Sequence, residues 1–176
     1  MADEPAQENN GKQLQLQKIY IKDLSFESPR APQIFTSDAQ AETQLNMRTS
    51  HTNLDEQNVE VCLTITVESK DKDATLFLVE VVQAGVFSLR GYTEAETSAI
   101  LGSYCPNTLY PFAREAVADI ATKGGFPQLL LQPINFDGLY QQALQERAAQ
   151  ATAGGPVDVT MPPQAPADPA AGGGTH

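Results

Sequence analysis

The stretch Asn58 to Glu68, NVEVCLTITVE, alternates apolar and polar side chains without a slip. Side chains of a strand point to opposite faces in turn, so Val59, Val61, Leu63, Ile65 and Val67 form the apolar face of a half-buried strand. A helix would need those residues three and four apart. The region is β, and the sequence on either side continues the pattern.

Downstream, Asp71-Lys72-Asp73 makes a turn into another strand, Ala74 to Leu89. Here Phe77, Val79 and Val81 take one face while Leu76, Leu78 and Val82 take the other. Upstream, a more polar strand runs from Ala41 to His51 and turns through Asn53 to Glu56. Earlier still, Leu14 to Phe26 carries apolar residues at 14 and 16, then 19 and 21, then 24 and 26. Parity changes twice, which predicts bulges in one long strand. Ser28-Pro29-Arg30-Ala31-Pro32 ends it, because proline cannot donate to a ladder. Short connections favour a four-strand antiparallel meander.

Beyond Gly91 the period becomes helical. Thr93-Glu94-Ala95-Glu96 matches a capping box for a helix reaching about Tyr104. Asn107 is positioned to cap a second helix with Pro111 in its first turn and the stripe Leu109, Phe112, Ala113, Ala116, Val117, Ile120, Ala121. Gly124-Gly125 ends it through a left-handed residue. After an extended link from Gln128 to Pro133, Asn135 caps a third helix with the stripe Phe136, Leu139, Tyr140, Ala143, Leu144. Strands followed by helices predict an α+β fold, a sheet with helices packed on one face. The other face should then be polar. Leu76, Leu78 and Val82 contradict that, and an apolar patch on an outer face marks a partner surface.

The ends lie outside this pattern. Residues 1–13 are short and polar. Residues 151–176 are rich in Pro, Ala and Gly and cannot bury enough surface to offset their ordering entropy. Both are expected to be disordered, leaving a single domain over 14–150. The chain carries 11 Lys and Arg against 22 Asp and Glu. The basic residues are scattered singly, which argues against nucleic acid and anionic membrane as partners and favours a basic one. No apolar run approaches the roughly 18 residues a bilayer requires, and no signal-peptide pattern opens the chain. Cys62 and Cys105 lack metal or redox spacing and read as free thiols in a reducing compartment, the cytoplasm.

No chemistry emerges. His51 and His176 are the only imidazoles, and neither sits in a pattern that would activate a nucleophile or hold zinc. Phosphate-binding and nucleophile-elbow motifs are missing. Asp23 and Glu27 share a strand face but have polar neighbours, so they read as an acidic surface patch and not a catalytic pair. The expectation is a binding protein without metal or cofactor.

Three runs then carry a resemblance: Ile19 to Pro29 (IYIKDLSFESP), Leu101 to Glu115 (LGSYCPNTLYPFARE) and Gly125 to Asp137 (GFPQLLLQPINFD). In this order, over about Leu14 to Arg147, they resemble the SecB protein-export chaperones. The resemblance implies an ATP-independent holdase that binds unfolded secretory precursors, keeps them competent for translocation, and delivers them to the SecA export motor. It implies a homotetramer built as a dimer of dimers, with the helix from Thr93 to Tyr104 at the dimer–dimer interface. It also places the motor on Asp23, Glu27, Leu78 and Glu80. Leu78 and Glu80 share the face already noted as oddly apolar. The opposite parity, Val79, Val81 and Gln83, is expected against the helices or a neighbouring dimer, as an oligomer interface. Tyr104, Tyr110, Phe126 and Phe136 are the expected client groove, although Phe136 also reads as core. Two rivals differ in the job: a SecB-like chaperone dedicated to one partner such as an antitoxin, and a small-ligand carrier or hydrolase built on the same sheet.

Overall fold

The computed structural model describes residues 11–36 and 41–153. Four strands, β1 (Gln13–Glu27), β2 (Glu42–Asn53), β3 (Asn58–Asp71) and β4 (Ala74–Arg90), come first. They are followed by α1 (Glu94–Ala99), a π turn (Ile100–Tyr104), α2 (Cys105–Lys123) and α3 (Phe136–Ala153). Residues 1–10 and 154–176, the bulk of both expected disordered ends, lie outside the described residues.

The sheet is antiparallel, in the order β1-β4-β3-β2. The expected meander holds for β2, β3 and β4. β1 departs from it: the chain crosses the sheet between Glu27 and Glu42 and so places β1 beside β4, a Greek-key arrangement. A 3-10 turn, Gln33–Thr36, lies on that crossing and buries Ile34. The apolar face of β1 explains the choice of neighbour. Beside β4 it extends the buried side of the sheet, whereas β2 is polar and exposed almost throughout.

Register shifts in β1 fall between Leu16 and Lys18 and between Ile21 and Asp23, the two points where parity changes. Gln17 and Lys22 are the surplus residues. Because of them Leu14, Leu16, Ile19, Ile21, Leu24 and Phe26 all pair with inner-face positions of β4, from Leu89 to Val79. A third shift, at Ser69/Lys70, falls opposite Leu76. It corrects the expectation for Leu76, which is buried in the core and not part of the outer patch. The hairpin after Asp71 turns at Lys72, whose φ of 56° is left-handed.

On the inner face, Val61, Leu63, Ile65 and Val67 of β3 and Val79, Val81 and Phe87 of β4 are fully buried. α2 covers them with Leu109, Ala113, Val117 and Ala121. It sits close because Gly85 has no side chain; a Cβ there would come 2.9 Å from Leu109 Cδ2.

The helical part corrects two expectations. The capping box at Thr93 is present, with Glu96 N–H on Thr93 Oγ1 at 3.3 Å and Thr93 N–H on Glu96 Oε2 at 3.0 Å. Asn107, however, caps nothing, because α1, the π turn and α2 form one uninterrupted helical run, and Pro111 lies inside α2. The widened turn lets the Cys105 N–H reach the Ile100 carbonyl, carrying the run into Pro106. An interior proline costs about 3 kcal/mol. Burying Leu109 and Val117 alone contributes roughly 1.5–3 kcal/mol each, so packing outweighs that cost. At the far end Gly125, with φ 85°, closes a Schellman motif in which Phe126 N–H bonds the Ala121 carbonyl and Gly125 N–H the Thr122 carbonyl. Asn135 caps α3 as expected, its Oδ1 accepting from Gly138 N–H at 3.0 Å.

Candidate functional site

The outer face of the sheet brings Asp23, Glu27, Leu78 and Glu80 together. In the β1–β4 ladder Asp23 is opposite Val82, Ser25 opposite Glu80, and Glu27 opposite Leu78. The four side chains therefore occupy neighbouring positions on one face. Thr66 Oγ1 donates to Glu80 Oε2 at 3.2 Å, fixing that carboxylate from β3. Among the described residues no Lys or Arg pairs with Asp23, Glu27 or Glu80. Their charge is unspent.

Further along the same face the charge is spent. Glu60 accepts from Lys22 Nζ at 2.7 Å and from the Tyr20 hydroxyl. Lys22 and then Tyr20 hold the Glu60 carboxyl below the usual carboxylate range, while the bond to Glu60 pushes the Tyr20 phenol up. Cys62, buried next to them, has its thiol raised by burial. At the other end Glu68 lies 3.0 Å from Lys70 and is lowered by it. The outer face thus has an ion pair towards each end, Glu60 with Lys22 and Glu68 with Lys70, and the open carboxylates Asp23, Glu27 and Glu80 beside Leu78 and Val82.

Val79, Val81 and Gln83 lie on the inner face. The first two are 0% exposed and Gln83 2%, and the Gln83 amide donates to the Tyr20 carbonyl at 2.8 Å. Their assignment as an oligomer surface is corrected. They are core under α2, with no area left for a second chain to touch.

Of the four expected groove residues, Tyr104 is exposed and Phe126 half-buried, while Tyr110 and Phe136 are buried. Tyr110 and Phe136 pack edge to face at 5.6 Å, and the Tyr110 hydroxyl donates to the Gln132 carbonyl. Both anchor the link between α2 and α3, so their groove assignment is corrected to core. Phe126 belongs to an aromatic cluster with rings of Phe77 at 4.6 Å, Phe35 at 5.4 Å and Phe26 at 6.2 Å. Gly124 makes room for it, since a Cβ there would lie 2.2 Å from Phe26 Cζ. The cluster is open, with Phe35 52% and Leu130 62% exposed. An open cleft of about 820 Å³ adjoins it between α2 and the link, lined by Pro111, Arg114, Asp119, Phe126 and Leu130. Phe26, Phe35 and Phe77 were not expected as groove residues. The one local signal was an aromatic placed just after the Pro29–Pro32 break.

Further apolar surface is left uncovered by this chain: Ile21 and Leu24 on the edge strand β1, Leu45 on β2, and Leu139 and Leu144 on α3. Among the described residues no group of three or more His, Cys, Asp or Glu is placed to hold a metal ion, and no helix is long and apolar enough to cross a membrane.

The family model for SecB, described as preprotein translocase subunit SecB, matches residues 7–147. A protein-export protein SecB from Nitrosococcus oceani is 52% identical over 143 residues, covering 80% of this chain and 87% of its own. Another from Hydrogenovibrio crunogenus is 47% identical over 143 residues, covering 81% and 96%. Among solved structures, a Mycobacterium tuberculosis SecB-like chaperone in complex with a ChAD peptide from an antitoxin superposes with a TM-score of 0.58 at 20% identity. That match covers 69% of this chain and 90% of the other, and it shows a shared fold.

Proposed function

The chain belongs to the SecB family of preprotein translocase subunits, and from that premise we propose how its two surfaces divide the work of an export chaperone. The aromatic cluster around Phe126 takes apolar segments of unfolded secretory precursors without ATP. The acidic outer face at Asp23, Glu27, Leu78 and Glu80 hands them to the SecA motor in the cytoplasm. The carrying observation is the separation itself: unspent carboxylates on the outer face and open aromatic rings on the opposite side of the sheet. A client and a basic partner can then be held at once.

A homotetramer fits the uncovered apolar residues. β1 is an edge strand whose inner face leaves Ile21 and Leu24 in water, and a second copy would cover both its ladder groups and its side chains. Several weak grooves on one assembly raise avidity by a factor on the order of 10² or more. The work is binding, without catalysis or cofactor.

Light scattering tests this directly. A chemically unfolded secretory precursor is diluted into buffer with and without the protein, in the absence of ATP. Suppressed aggregation at near-stoichiometric protein supports a general holdase. Unchanged aggregation with folded, assembled protein rejects it in favour of a chaperone dedicated to one partner.

A further inference from the structure

Ser69 is 1% exposed, and its hydroxyl is the buried side-chain polar atom that lacks a hydrogen-bond partner among the described residues. Buried polar groups are almost always paired, and leaving one unpaired costs about 1–3 kcal/mol. Its place in the fold is specific. Ser69 ends the inner face of β3 directly opposite Phe77, whose ring is 4.6 Å from Phe126 and 6.1 Å from Phe26. The ladder slips immediately after it, at Ser69/Lys70. An unpaired hydroxyl is therefore carried on the residue across the ladder from Phe77, the most buried member of an aromatic cluster whose outer members, Phe35 and Phe126, are not sealed from solvent.

We infer that Ser69 is a specificity-determining residue of the aromatic groove: its hydroxyl pairs with a main-chain carbonyl of an extended apolar segment that parts the Phe35 and Phe126 rings. The inference rests on the groove reading above and deepens it. Phenyl rings alone favour any hydrocarbon surface. A hydroxyl donor across the ladder from Phe77 rewards only a ligand that brings a free backbone carbonyl along with an apolar side chain. Unfolded chains have such carbonyls unpaired; folded proteins have theirs in ladders and helices.

The test compares the full-length wild type with Ser69→Ala and Phe126→Ala. The probes are a fluorescein-labelled peptide of 14 residues with Phe and Leu at alternate positions, and the apolar dye anilinonaphthalene sulfonate, which has no peptide carbonyl. Ser69→Ala is expected to raise the urea midpoint, to weaken the peptide roughly three- to tenfold, as loss of one hydrogen bond does, and to leave dye affinity unchanged. Phe126→Ala is expected to weaken both probes. Unchanged peptide affinity in Ser69→Ala overturns the inference, as does a lowered urea midpoint, which would mean the hydroxyl is already paired. If Phe126→Ala also leaves both probes unaffected, the groove reading falls with it; if only Ser69→Ala is silent, that reading stands.

Discussion

Gly102 and the ring of Tyr140 occupy adjoining space: a Cβ on Gly102 would lie 2.4 Å from Tyr140 Cδ2. Gly102 is in the π turn and Tyr140 in the second turn of α3, so the missing side chain is the seat on which α3 rests. The Tyr140 hydroxyl donates to Ser98 Oγ at 3.2 Å, and Ser103 Oγ donates to Asp137 nearby. From residue 141 to 149 every side chain of α3 is exposed. Asp137 and Tyr140, which hold the helix to the π turn and α1, lie in its first turns.

Gly102→Ala is therefore expected to release α3. Alanine gains about 1 kcal/mol of helix propensity over glycine, but overpacking against Tyr140 costs typically 1–3 kcal/mol, and the clash wins. Hydrogen exchange read by mass spectrometry should show faster exchange across residues 136–149, with β3 and β4 unchanged. Equal protection of α3 in the variant would show that the contact does not hold it.

Glu80→Lys is expected to abolish handover to the motor and leave client binding intact. The substitution reverses a charge held by Thr66 and flanked by Asp23 and Glu27 on the outer face, while the aromatic cluster lies on the other side of the sheet. Binding to a basic partner should weaken on the order of tenfold or more, with a smaller salt dependence. Loss of both functions together would show that the two faces are wrongly assigned.

The start of α1 is expected to be acid-sensitive in a defined window. The ion pair with Lys12, 2.6 Å away, and the Thr93 backbone bring the Glu96 carboxyl from 4.5 down to about 2. A lowered folded-state value stabilises above the unfolded value and is lost as pH falls through the folded one. The contribution is thus complete above about pH 4.5 and disappears towards pH 2. Lys12→Met should move the Glu96 titration up and bring the loss to higher pH, read from the Glu96 side-chain carboxyl and Thr93 amide signals by NMR. An unchanged titration would exclude the pair.

Glu60→Gln is expected to lower the thermal midpoint by about 2–6 °C, more than Asp23→Asn, because Glu60 is a nearly buried acceptor shared by Tyr20 and Lys22 and Asp23 is exposed and unpaired. Scanning calorimetry of the two variants decides it. Equal midpoints would mean that the network adds nothing to the sheet.

Much of this fold was legible because one physical rule governed each segment. Period two in β3, the capping box at Thr93, the paired glycines after α2 and the two parity changes in β1 are all local signals with local causes. The failures are non-local. Nothing between Glu27 and Glu42 says that the chain crosses to the opposite edge. Asn107 and Pro111 carry real start signals, overridden by an apolar stripe that packs better on a continuous helix. Leu76 was misplaced by a bulge that is invisible in its own strand. For the site, the family resemblance named Asp23, Glu27, Leu78 and Glu80 together, whereas strand parity alone joined Leu78 with Glu80 and Asp23 with Glu27. The aromatic cluster was missed, apart from Phe126, because Phe26, Phe35 and Phe77 come from three separate segments that only the tertiary fold joins.

The two surplus residues of β1 also determine where this chain can change length. Gln17 and Lys22 have no partner in β4, and the residues flanking each of them pair with consecutive residues of it, Leu16 with Phe87 and Lys18 with Val86, Ile21 with Gln83 and Asp23 with Val82. Deleting Gln17 would therefore close up the ladder with Leu14 and Leu16 still facing the core, and only the local bend would be lost. Losing Lys22 would do the same and strip Glu60 of its cation as well. Single-residue loss in this strand is thus absorbed at its start before Gln13 or at either bulge, whereas anywhere between them it would shift the reading frame of the sheet.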